Sequence, residues 1–143
     1  MKVFFDTSVL VSAVVDQLPN HVAAHDCYRR YSSGSHRGYC AAHALAECYA
    51  TLTALPLARR ITAAEALALV EQNFASRLQV VNLNDADYLQ ALRFTSAGGL
   101  LSGQIYDALH VAAARKAECA RIYTYNLTHF RRLCPEDIEL SAP

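Results

Sequence analysis

Four short apolar runs, KVFF, GYCAA, LQVVNL and ARIYTYN, are each followed by a stretch with the apolar spacing of a helix. Runs of four to eight apolar residues read as buried strands, whereas repeats at three and four residues read as helices. Parallel strands need long crossovers, and helical crossovers cover both faces of the sheet they connect. The alternation therefore predicts a three-layer α/β/α sandwich around a mainly parallel sheet. Pro19 ends the segment VSAVVDQ, and Asn20 is placed to cap a helix HVAAHDCYRRYSS that Gly34 terminates. Pro56 stops HALAECYATLTAL, and Thr62 with Glu65 forms a T-x-x-E capping box before the amphipathic AAEALALVEQNF. Asn84 or Asp85 caps NDADYLQALRF, which Gly98-Gly99 closes; GQIYDALHVAAARKA reads as a long helix, LTHFRRL as a helical turn and DIEL as a last strand. No repeat, linker or low-complexity tract interrupts the 143 residues, so one domain spanning 1–143 is expected.

Thirteen basic and thirteen acidic residues cancel, so nothing global marks a nucleic-acid binder and any such binding must use local patches. Eleven of the thirteen basic residues are arginines, and Arg29-Arg30, Arg59-Arg60 and Arg131-Arg132 occur as doublets. Arginine's planar fork suits phosphate, so the doublets and Arg37 are the candidates for a positive track. Five cysteines, odd in number and without a C-x-x-C pair, argue against a disulfide framework or zinc ribbon and for reduced thiols in a cytoplasm. No charged leader and no membrane-spanning apolar run is legible, so a soluble protein without membrane association is expected.

In FFDTSVLVSAVV one carboxylate, Asp6, and two hydroxyls, Thr7 and Ser8, interrupt an otherwise apolar run. An ionised carboxylate in an apolar interior must find a partner, shift its pKa or stand where the strand opens into a polar cleft. Glu47 in LAECYATL, beside the apolar stripe of Leu45, Tyr49 and Leu52, and Asp107 in IYDALHVAAA are equally out of place. Asp has poor propensity in a helix interior, so position 107 suggests another use. In open α/β sheets ligand sites form beyond the carboxyl ends of the strands, and Asp6 ends the first strand. Three carboxylates converging there would repel unless a divalent cation neutralised them, and oxygen ligands favour magnesium or manganese. His21 and His25, four apart, have no third metal ligand and read as surface residues; His43 and His110 read as polar groups satisfied near the cleft or core.

Taken in order, FFDTSVL, LAECYATLT, IYDALHVAAA and YTYNLTHF resemble the PIN-domain ribonucleases, and especially the VapC-like toxins of toxin–antitoxin pairs. The resemblance spans nearly the whole chain. It maps the family's first, second and third acids onto Asp6, Glu47 and Asp107, and implies a Mg2+ or Mn2+ site, cleavage of RNA, a cognate antitoxin and a homodimer. One departure matters: Thr124, Asn126 and Phe130 are kept, but His129 stands where many members carry a fourth acid. Neither Asn126 nor His129 supplies a negative charge, so a second metal position is in doubt and a catalytically weak or purely RNA- or protein-binding module is the alternative.

The expected chemistry is hydrolysis of an RNA phosphodiester, with Asp6 and Asp107 as principal metal ligands and Glu47 binding directly or through water. Thr7, Ser8, Thr124 and Asn126 would brace these groups. A phosphoacceptor or phosphatase fold also places Asp after its first strand. The haloacid-dehalogenase pattern, however, needs a second Asp where Ser8 stands, and a receiver domain needs a lysine near the site, for which Lys116 is poorly placed.

Overall fold

In the computed structural model, which describes residues 1–35 and 37–143, five parallel strands form one sheet in the order β3-β2-β1-β4-β5. The strands are β1 (Lys2–Phe5), β2 (Arg37–Ala41), β3 (Gln79–Val81), β4 (Arg121–Tyr123) and β5 (Glu139–Ser141). The helices are α1 (Thr7–Val14), α2 (His21–Tyr31), α3 (Ala42–Ala54), α4 (Ala63–Leu69), α5 (Asp85–Ala97), α6 (Gln104–Lys116) and α7 (Leu127–Arg131). None of the described helices is long and apolar enough to cross a membrane.

The period-two alternation of strands decides which side chain faces which layer. Val3 and Phe5 point into a core shared with α1, α2, α3 and α4. Phe4 points the other way, into a second core that includes Ala108 and Val111 of α6 and Phe130 of α7. Both sheet faces are thus covered, as the near-continuous apolar strands require.

Glycine matters at Gly38 of β2, where an added Cβ would stand 2.9 Å from Leu78 Cδ2 and Phe5 Cε2 and 3.1 Å from the Tyr31 carbonyl. The carbonyl belongs to the end of α2 and cannot swing aside as a side chain can. Gly38→Ala is expected to cost about 1–3 kcal/mol of stability by overpacking, read as a lower urea midpoint with an unchanged slope.

Several element ends differ from the sequence reading. The box at Thr62 and Glu65 forms in both directions, and Asn84 and Asp87 form a second one. Asn20 holds the N-cap place of α2 without a side-chain bond, and α2 stops at Tyr31, three residues before Gly34, which takes φ +77° in the following turn. The helix starting at Ala63 does not run on uniformly: after Leu69 it widens into a π-helical turn over Val70–Ala75. There the Asn73 amide donates to the Leu69 carbonyl at 3.0 Å, competing with the backbone for its acceptor. His21 and His25 are half-buried rather than on the surface. Their Nδ1 atoms lie 2.9 Å and 3.1 Å from the carbonyls of Ser12 and Ala13, so they satisfy the otherwise open end of α1. On α3 the buried face is Ala44, Cys48 and Leu52, while Tyr49 is exposed.

Candidate metal centre

The strand order turns at β1: successive strands run to β3 on one side and to β5 on the other. The crevice of such a sheet opens beyond the carboxyl ends of the two strands at the turn, here β1 and β4. Asp6 follows β1 directly and Thr124 follows β4. Asp6 is also the N-cap of α1, its Oδ1 accepting from the Val9 N–H at 3.1 Å. The same oxygen accepts from Ser8 Oγ at 2.6 Å, and Oδ2 accepts from Thr124 Oγ1 at 2.6 Å. Thr124 Oγ1 in turn accepts from the Asn126 N–H, and Ser8 Oγ accepts from the Tyr125 N–H. The polar interruption D-T-S thus stitches the first strand to the loop after the fourth.

Burial pushes the Asp6 carboxyl above its ordinary range, against the opposing effects of His110 and of its Ser8, Thr124 and Val9 donors. Glu47 arrives on α3, which starts where β2 ends, and its Oε1 accepts from Thr7 Oγ1 at 3.1 Å. His110 Nε2 of α6 stands 2.9 Å from that oxygen, and His43 Nε2, one turn earlier on α3, 3.3 Å. Burial alone would raise Glu47, but its bond to His110, the two rings and the Thr7 hydroxyl outweigh it and hold the carboxyl below its ordinary range. His43 is lowered to about 4, by burial first and by His110 next.

Asp107 is not in a helix interior. It lies in the first turn of α6, where the helix dipole favours a carboxylate and propensity is no objection. Burial raises it, and Asp6 and Glu47 add repulsion that His110 and His129 oppose. His129 Nδ1 lies 3.7 Å from Asp107 Oδ2, so the residue standing where a fourth acid was sought reaches the site.

Asp6, Thr7, Ser8, Glu47, Asp107, His110 and Asn126 line one cleft of about 270 Å³, and no described lysine or arginine lines it. A larger hollow of about 390 Å³ between α5 and α6 contains one carboxylate, Asp87, which is paired with Lys116 Nζ at 2.7 Å. That pair removes Lys116 from the phosphoacceptor reading. Among the described residues, the one set of three His, Cys, Asp or Glu side chains whose ligating atoms all lie within 4.8 Å of one another is His43, Glu47 and His110. Sequence reasoning treated the two histidines only as satisfied polar groups. The available signal was His43 and Glu47 four apart on one helical face.

The topology also sorts the arginines. Arg37 pairs with Lys2 at the amino end of the sheet, about four strand residues from the cleft, or roughly 13 Å. Arg29-Arg30 closes the helix that feeds that same end, and Arg59-Arg60 follows α3 after it has run away from the cleft. Arg131-Arg132 comes two residues after His129, at the end of the short helix that begins at the cleft.

A model of the PIN domain matches residues 3–134. The chain belongs to the PIN domain family. Members of this family are in general nucleases. Among solved structures, the Mycobacterium tuberculosis toxin VapC20, described as cleaving the sarcin-ricin loop, superposes with a TM-score of 0.73 at 18% identity, covering 94% of this chain and 97% of that one. VapBC2 from Rickettsia felis, bound to a DNA fragment from its promoter, gives 0.68 at 16% identity over 100% and 99%. VapBC-1 from nontypeable Haemophilus influenzae gives 0.67 at 16% over 99% and 98%. Comparison with curated protein sequences finds no match. At these identities the solved structures establish that this PIN domain shares the fold of VapC toxins.

Proposed function

We propose that this PIN domain is a metal-dependent endoribonuclease and the toxin of a toxin–antitoxin pair. The observation that carries the reading is that one cleft at the carboxyl edge of the sheet is lined by Asp6, Glu47 and Asp107, with no lysine or arginine among the described residues that line it. Burial raises two of these carboxyls, so a cation beside them would relieve the cost of their charge, and hard oxygen donors suit Mg2+ or Mn2+. Asp6 and Asp107 would hold the cation, with Glu47 beside them. When bound, the cation supplies Lewis acidity toward the phosphodiester and its attacking water.

The chain's own residues do the positioning. Ser8 and Thr124 fix both oxygens of Asp6, and Thr7 fixes Glu47, so the carboxylates need little reorganisation to receive a charge. Asn126 borders the cleft and offers an amide to the substrate side. Arg131-Arg132 is the doublet whose place best supports a phosphate track. Exposed Leu89, Leu92 and Phe94 on α5 and Leu101 beside α6 supply the apolar area that an antitoxin or a second copy would cover. Five free cysteines fit a cytoplasmic setting.

The test is RNA cleavage with manganese, with chelator, and with manganese restored, for wild type and Asp107→Asn. Cleavage that survives chelation, or that the variant retains, removes the reading. The alternative, a weakly active PIN module, draws on His129 in place of an acid. It predicts that Asn126→Asp or His129→Asp lowers the manganese concentration for half-maximal cleavage by about tenfold, because added ligand charge tightens oxygen sites. The gain shrinks at saturating metal, where occupancy no longer changes. If neither variant moves that concentration, the three acids with Asn126 are already sufficient.

A further inference from the structure

Glu47 lines the carboxylate cleft, and its Oε1 stands beside two imidazoles. His43 Nε2 is buried, 3.3 Å from Glu47 Oε1, and has no hydrogen-bond partner. In the neutral ring with its proton on Nδ1, that Nε2 presents a lone pair to the carboxylate. Two acceptors aimed at each other without a proton between them are mutually unfavourable, and a cation resolves the conflict. His110 Nε2 completes the set at 2.9 Å from Glu47 Oε1, its ring centroid 4.3 Å from that of His43.

We propose that His43, Glu47 and His110 form a binding site for a borderline divalent cation, zinc above all, separate in its donors from the carboxylates that favour magnesium. Ligands about 2.05 Å from a tetrahedral ion stand roughly 3.3 Å apart; the His43 contact to Glu47 Oε1, 3.3 Å, has that length, the His110 contact, 2.9 Å, opens by a few tenths of an ångström on binding, and all three ligating atoms lie within 4.8 Å of one another. Two histidines and a glutamate with an open fourth position are a recognised zinc donor set, and imidazole nitrogen disfavours magnesium. His110 Nδ1 is buried and unpartnered, so moving its ring proton from Nε2 to Nδ1 leaves the same single atom unsatisfied. Glu47 belongs to both donor sets, so a zinc ion here withdraws it from the cleft; this consequence, unlike zinc binding itself, rests on the nuclease reading.

Calorimetric titration of the metal-free protein with zinc chloride tests the site without any activity measurement. Wild type is expected to bind one zinc ion through this site, with affinity falling at least about tenfold in His43→Gln and staying within about threefold in Asp107→Asn, whose side chain is not in the set. Cobalt added to wild type should give the intense visible absorption of a four-coordinate ion without a thiolate charge-transfer band, a readout that needs no variant. The proposal is overturned if His43→Gln binds zinc as wild type does, if Asp107→Asn is the variant that loses it, or if cobalt shows the weak spectrum of a six-coordinate ion.

Discussion

Asp6→Asn is expected to reduce RNA cleavage by at least about a thousandfold, equivalent to ~4 kcal/mol of transition-state stabilisation, while making the metal-free protein more stable. Asn keeps a carbonyl for Ser8 Oγ and the Val9 N–H, and its amide can donate to Thr124 Oγ1, whose hydroxyl now turns away. The cap of α1 therefore survives and the negative charge does not. The sign of the stability change follows from linkage. The folded pKa of Asp6 lies above its unfolded value of 3.8, so its unfavourable contribution is absent below 3.8 and grows as pH rises through the folded pKa. Chemical unfolding in chelator should show wild type losing stability over that rise and the variant losing less. A variant no more stable than wild type at neutral pH would mean that the buried carboxylate is already compensated without metal.

Phe5→Ala should produce the largest loss of stability among these substitutions, about 3–5 kcal/mol. The ring is fully buried and stacks on Tyr123 at 5.7 Å, with Tyr28 and Tyr31 each at 6.2 Å. A cavity among three tyrosines collapses poorly, and a loss of this size is a large share of the 5–15 kcal/mol that typically holds a domain together. Phe5 also immediately precedes Asp6, so a softened strand end should loosen the carboxylate. Phe5→Leu is expected to cost far less and to retain cleavage. Equal unfolding midpoints for Phe5→Ala and wild type would contradict the packing account.

The alternation of strands and helices was legible because the first four strands are apolar runs and most helices have a punctuating cap or proline. Asp6 could be placed at a strand end from its own neighbours. The position of Asp107 within its helix could not, because Ser102 and Gly103 before it carry no side-chain cap that marks the start of α6. The π-helical turn was hidden because it depends on where the Asn73 amide points. The link between His43 and His110 was hidden for a different reason: it joins helices 67 positions apart through one carboxylate oxygen, and no local pattern records it. Arg37 looked like a phosphate ligand by type, and only strand direction shows that it lies at the opposite edge from the cleft.

The central claim, that Asp6, Glu47 and Asp107 hold one divalent cation used to cut RNA, is tested most directly by manganese titration followed through the paramagnetic resonance of the free ion, on the same preparations assayed for cleavage. The account predicts a bound ion in wild type, at least about tenfold weaker binding in each of Asp6→Asn, Glu47→Gln and Asp107→Asn, and cleavage that falls in step with occupancy. Wild-type manganese affinity in all three variants, with cleavage undiminished, would contradict it.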